Sequence, residues 1–435
     1  MRRSPFPCAA AALLAGAALL PGQQPATDTL RLGSLERAAL EHDPRTRELQ
    51  LQRARTALRL QDIAAERLPS LAAEGQAQYQ STVTKLPIQL PGVRIPTPAN
   101  DSYDAHLNAQ QQLFDPGAGP RRSVERAQLA QTESQLRVSL YPLRQQVEDA
   151  FFNAALLDAQ ASEVATAITD LQAQLTVTRA RVREGTALRG EADAIEAELL
   201  RRQQDTAQLR ADRAAALTVL ADLTGRVLAD SSTLAPPDLS AAVARARSAS
   251  DSAWARPELQ QFARARDVLA AQAGVLSAAT LPRVSAFGRL GYGRPGLNFL
   301  STRFDSYWLA GVQFQWAPWN WGTTQRDREA LQLQQQILQT EQSAFTSSLR
   351  RTAVRDLATI ERLQGTLAGD ERIIALRESV ARETRLRFGE GVVTAAEYVN
   401  RATDVLDARI ARATHRVQLA QAQARYLTTL GYQIP

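Results

Sequence analysis

One cysteine, one methionine and three histidines among 435 residues exclude much of the chemistry a chain of this length could carry. The cysteine, Cys8, sits ahead of an apolar N-terminal run, where it is poorly placed for lipidation, and the rest of the chain has no thiol to pair or to ligate a metal. His42, His106 and His415 have no second His or Cys at ligand spacing, so no metal centre is expected. Aromatic residues make up only 6%, fewer than a globular enzyme of this size uses to fill its core. There is no nucleophile elbow, Walker motif or catalytic carboxylate pair. Gly288, Gly291, Gly293 and Gly296 lack the helix start that a phosphate cradle needs. The chain reads as a non-enzyme without cofactors. After residue 24 no apolar run is long enough for a membrane-spanning helix, which leaves open a β-barrel, whose signal is much weaker.

Lysine is also nearly absent. Lys85 is the only one, so arginine carries the positive charge, a mark of a GC-rich genome rather than of a function. The net charge is +6, but the arginines are interleaved with Glu, Asp and Gln along helical stretches. That pattern is a solvated helix face and not a nucleic-acid surface. Arg2 and Arg3 precede the apolar run Ala9–Leu20, so residues 1–24 read as a secretory signal with cleavage between Gly22 and Ala26.

What the sequence does contain, it contains twice. Residues 44–225 and 257–431 pass through the same events in the same order. Each opens on a Pro-led helix (Asp43-Pro44; Arg256-Pro257) that closes at Leu-Pro (Leu68-Pro69; Leu281-Pro282). An alternating stretch follows, then an aromatic-x-Pro step (Phe114-Asp115-Pro116; Trp316-Ala317-Pro318). A very long helix then breaks at Glu-Gly (Glu184-Gly185; Glu390-Gly391), and a last helix stops at Gly225 or Gly431. This is an internal tandem duplication. The expected organisation is a first repeat over 28–225, a linker or small equatorial segment over 226–250 around Pro236-Pro237, and a second repeat over 251–435.

Period-two alternation predicts strands at about 70–80, 103–113, 284–292 and 307–316. Leu71, Ala73, Gly75, Ala77 and Tyr79 fall on one face, and Glu74, Gln76 and Gln78 on the other. Tyr103, Ala105, Leu107, Ala109 and Leu113 oppose Asp104, His106, Asn108, Gln110 and Gln112 in the same way. Tyr79, Tyr103, Phe114, Tyr307, Trp308, Trp316 and Trp319 gather at the strand ends, where a bilayer interface selects aromatic rings. A soluble sheet with one buried face is the plainer alternative. Four strands cannot close a membrane barrel, and an open edge in lipid leaves backbone groups unsatisfied, so a membrane reading requires further copies of the chain. The helices predicted over 118–183 and 322–388 each reach roughly 100 Å at about 1.5 Å per residue. Shorter helices are predicted over 44–68, 187–225, 257–281 and 394–430. Narrow apolar seams with Arg, Glu and Gln elsewhere suit coiled-coil walls.

This order of elements resembles the TolC family of outer-membrane channel proteins over nearly the whole mature chain. A local match lies at the hairpin tips. Phe388-Gly389-Glu390-Gly391-Val392-Val393-Thr394-Ala395-Ala396-Glu397 resembles the family tip, an aromatic residue followed by Gly, a hydrophobic residue, a small residue and an acid; the stretch from Arg183 to Glu191 is its counterpart. The resemblance implies a mainly α fold with membrane β-strands. A long coiled-coil α-barrel would continue a 12-stranded outer-membrane barrel to which each protomer of a homotrimer gives four strands. It implies that Glu184, Gly185, Thr186, Glu390, Gly391 and Val392 contact a periplasmic adaptor (membrane fusion) protein. Glu191 and Glu397 match aperture acids of the family, while Asn400 departs from one. Val393 replaces the lock-forming Arg of some members, which leaves Arg189, Arg385 and Arg401 as substitutes. The implied role is a passive exit duct of a tripartite efflux or type I secretion system. It would sit in outer-membrane lipid, extend into the periplasm and work with an inner-membrane pump of the RND or ABC type. A periplasmic adaptor and a structural coiled-coil protein are the alternatives.

Overall fold

The computed structural model describes residues 29–83, 97–249, 254–298 and 301–434. The expected signal segment and most of the Pro- and Gly-rich stretch between the first two strands lie outside them. The chain begins with β1 (Thr29–Leu30), α1 (Leu32–His42) and α2 (Arg45–Ala65). Strands β2 (Ser70–Tyr79) and β3 (Asp101–Phe114) lead into α3 (Ala118–Arg183) and α4 (Arg189–Thr224). After β4 (Thr233–Leu234) and α5 (Ser240–Ser248), the second half repeats the order. It runs through α6 (Pro257–Ala279), β5 (Arg283–Arg294), β6 (Asp305–Gln315), α7 (Thr323–Gly389) and α8 (Ala395–Leu430).

Local sequence explains these boundaries. Pro257 occupies the first turn of α6, where its missing N–H costs nothing. Helices α2 and α6 stop short of Pro69 and Pro282, because a proline disfavours helical backbone in the residue before it. Helices α3 and α7 run unbroken for 66 and 67 residues, roughly 100 Å each. Pro142 lies inside α3 without ending it, and in that turn Arg45 donates to the Ser139 carbonyl at 2.5 Å.

The four longer strands form one antiparallel sheet in the order β2-β3-β5-β6. Below it α2, α3, α6 and α7 pack side by side in the same order, so each strand continues into a helix of one row. Farther down, α4 packs on α3, and α8 packs on both α7 and α3. The core sits at mid-height, where Phe151 and Phe152 of α3 meet edge to face at 5.3 Å among Leu35, Leu220, Leu427 and Leu430. The segment after α4 belongs to this level. β4 pairs in parallel with β1, and α5 packs on α8. A second, smaller cluster near the far end joins Leu171, Ile195, Phe388 and Tyr398.

Candidate functional site

Cross-strand register sorts the sheet into two faces. Ala73 opposes Leu107, Leu107 opposes Leu290, and Leu290 opposes Trp308. Directly paired residues share a face, so these side chains form one apolar band. It is open: Leu71 is 79% exposed and Trp308 74%. Tyr79, Tyr103, Phe114 and Trp316 are exposed at its ends, and Trp319 beyond them. The opposite face carries Glu74, Asp104, His106, Asn108, Gln110 and Arg289. There His106 bridges Asp104 at 2.5 Å and Glu74 at 3.2 Å. Strands β2 and β6 are the sheet's edges among the described residues.

One detail departs from simple alternation. A register shift between Gln112 and Phe114 sets Phe114 opposite Val284 and so on the apolar side, where strict parity would have turned it to the polar side. Tyr307 joined the interfacial aromatic set by its position at the strand end, but alternation sets it on the face opposite Trp308, the polar one, and the structure places it there. It pairs with Gly291, its ring fills the space a side chain there would need, and its hydroxyl donates to Asp104 at 2.5 Å on the polar face.

Sheet and helices are joined at Asp115. Its carboxylate accepts from the Gly117 N–H at 2.9 Å and from Arg121 at 2.7 Å, with Arg283 3.7 Å away. Arg121 also reaches Glu66 at the end of α2. One aspartate thus holds the start of α3, the end of α2 and the start of β5. Asp115→Ala is expected to cost about 2 kcal/mol because it removes a carboxylate 12% exposed that accepts from both the Gly117 N–H and Arg121. Glu66→Ala, which removes a carboxylate 53% exposed, is expected to cost well under about 1 kcal/mol. Thermal unfolding followed by circular dichroism separates the two, and equal shifts would refute the hub.

The far ends of the long helices are two matched hairpins. Gly185 and Gly391 both have φ +74°. At each tip the glycine N–H and the following N–H return to earlier carbonyls: Gly391 to Phe388 and Val392 to Arg387, Gly185 to Val182 and Thr186 to Arg181. This double closure is the Schellman motif, and it requires a left-handed residue that glycine adopts cheaply. Glu184, Glu390 and Val392 are exposed around these turns. Glu397 is the third residue after Thr394, whose hydroxyl accepts from the Glu397 N–H at 3.2 Å, so it completes an N-terminal cap of α8. Glu397 and Asn400 are exposed and Glu191 half-buried, and among the described residues neither glutamate makes an ion pair. Arg401 is engaged with Asp404 at 2.9 Å.

The contact joining the two hairpins involves other residues. Arg181 of α3 donates to the Phe388 carbonyl of α7 at 3.1 Å and lies over its ring. Phe388 stacks on Tyr398 of α8 at 5.3 Å, and burial pushes the Tyr398 phenol up from its ordinary value. Phe388 was visible in the tip motif, but nothing in the sequence links it to Arg181, more than two hundred residues earlier.

A row of helices about 100 Å long beneath an antiparallel sheet with one exposed apolar face is the outer membrane factor fold, seen in solved outer-membrane channels. The chain is similar to the solved CusC, with a TM-score of 0.66 over 92% of each chain at 18% identity. It is also similar to the open state of the Neisseria gonorrhoeae MtrE outer membrane channel, at 0.62 and 19% identity over 93% of this chain and 89% of the other. The Campylobacter jejuni CmeC outer membrane channel matches at 0.61 and 13% identity over 92% and 85%. No family model and no curated protein matches the sequence, so the likeness rests on shape.

Proposed function

We propose that the chain is one subunit of a passive exit duct across the outer membrane and periplasm, serving a tripartite efflux or type I secretion system. One observation carries this reading: a sheet whose apolar face stays open in the folded chain, set in line with helices long enough to cross a periplasm. A soluble protein would bury that face, and neither a structural coiled coil nor an adaptor needs one. Three copies would join edge β2 to edge β6 and close a 12-stranded barrel, leaving the glutamine-bearing face toward water. The tips around Gly185 and Gly391 would meet a periplasmic adaptor coupled to an inner-membrane pump of the RND or ABC type. Glu191, Glu397 and Asn400 would line the aperture. Residues 1–24 would direct export and be removed.

Detergent-extracted outer membranes run boiled and unboiled should show a heat-sensitive species near three times the chain's mass, and the purified species should conduct in planar bilayers. Arg181→Ala, which removes one polar contact between the hairpins, is expected to raise the open fraction severalfold without dissolving the oligomer. A monomer confined to the soluble fraction would end the duct reading, and unchanged conductance in Arg181→Ala would end the role of that contact.

A further inference from the structure

The polar face of the sheet ends in a built concavity. Gln110 and Gln112 of β3, Ser285 of β5, and Gln313 and Gln315 of β6 open on a space of about 380 Å³. Its floor is Glu66, Asp115, Arg121 and Arg283, two acids and two bases already engaged with one another. The floor therefore presents fixed dipoles and no net charge. Among the described residues the side-chain amides of Gln110, Gln313 and Gln315 make no hydrogen bond, so each offers one acceptor and two donors.

An aromatic ring lies at the rim of this concavity, one cross-strand row beyond Gln112, Ser285 and Gln313 and outside the residues that line it. Phe287 pairs with Gln110 on one side and with Gly311 on the other. Its ring lies over Gly311, where an added Cβ would stand 2.7 Å from Phe287 Cζ. Gln313 is two residues along the same strand and so on the same face. The ring thus borders the amides of Gln110 and Gln313.

This combination selects one ligand chemistry. The C–H face of a sugar ring packs on an aromatic plate, and its hydroxyls both donate and accept, so they satisfy amides in either orientation. An anion would face Glu66 and Asp115, a cation would face Arg121 and Arg283, and each would have to break an existing ion pair to bind. We propose that the concavity is a binding site for neutral saccharides. The proposal rests on the duct reading for one point, that this face is the watered one.

The test uses the full-length oligomer in a detergent without a sugar headgroup. Saturation-transfer NMR is recorded with maltohexaose as probe and glucuronate as its anionic counterpart. The expected result is millimolar binding of maltohexaose in preference to glucuronate. Phe287→Leu, which keeps apolar cover on Gly311 but loses the flat face, should weaken it roughly fivefold, as should Gln313→Leu at an exposed position. Val312→Leu on the opposite face should leave it unchanged. Absence of a maltohexaose signal in the native protein, unaltered binding in Gln313→Leu, or a preference for glucuronate would overturn the proposal. Binding needs no conduction, so a chain that conducts without binding refutes this site alone, and one that binds without conducting refutes the duct.

Discussion

Gly431→Ala is expected to cost about 4 kcal/mol or more, whereas Gly185→Ala should cost about 1 kcal/mol, although both glycines end a helix in the left-handed region. Gly431 has φ +91° and Gly185 φ +74°, so the conformational strain of adding a Cβ is similar. The surroundings differ. Nothing lies within 4 Å of a Cβ at Gly185. At Gly431 it would stand 2.5 Å from the Arg256 nitrogen and 2.7 Å from the Ala255 oxygen. Those are backbone atoms, and the Ala255 N–H is tied to the Leu430 carbonyl at 3.0 Å, so the segment ahead of α6 cannot step aside. Gly225, at φ +65°, is intermediate: its obstacle is the His42 ring, with Cγ at 2.6 Å, and a side chain can rotate away. Thermal unfolding of the three alanine variants should rank them Gly185, Gly225, Gly431 in increasing loss. Equal losses would show that left-handed strain alone matters and that the close approach at Gly431 carries no weight.

Physical range explains which features were legible in the sequence. The strands were readable because a half-exposed strand obeys a period of two, and the residues from Ala73 to Tyr79 obey it without exception. The tips were readable because Gly185 and Gly391 each satisfy a local demand for positive φ. The Phe114 register shift was hidden, since a bulge is a property of two strands and alternation describes only one. The pairing of β1 with β4 and the Arg181–Phe388 contact were hidden for the same reason, being set by the approach of distant segments. Four buried charges, Glu36, Glu148, Arg202 and Asp370, were misjudged by a general rule. Charged residues on the helices were read as solvated, yet Glu148, Phe151, Phe152 and Ala155 share one helical face, as do Leu32, Glu36 and Ala39. That spacing places both glutamates in an apolar stripe.

Those two glutamates make the stability of the mid-height core fall as pH rises. Glu148 is 2% exposed and Glu36 5%. Burial pushes Glu148 up to about 8, with the neighbouring Glu36 adding to the rise and the Thr428 hydroxyl, which donates to it, opposing it. Burial likewise pushes Glu36 up to about 7, against the pull of Arg144. A carboxyl whose folded pKa is raised binds its proton more tightly in the folded chain. The stability it confers is fully present below about pH 4.5, where the unfolded chain is protonated too, and is lost as pH climbs through 7 and 8. At about 1.4 kcal/mol per pKa unit each group is worth roughly 3 to 5 kcal/mol, and because like charges couple them the pair is worth less than the sum. The unfolding temperature of the native chain should therefore drop by several degrees between pH 5.5 and pH 8.5. Glu148→Gln keeps an acceptor for Thr428 and removes the charge, so it should raise the melting temperature at pH 8.5 and flatten the profile. It should change little at pH 5, where the native glutamate is already neutral. Glu36→Gln should act in the same direction and more weakly. A native profile that is flat across this range, or a Glu148→Gln variant less stable than the native chain at pH 8.5, would mean that the two carboxylates are held as anions by Arg144 and are not kept protonated by burial.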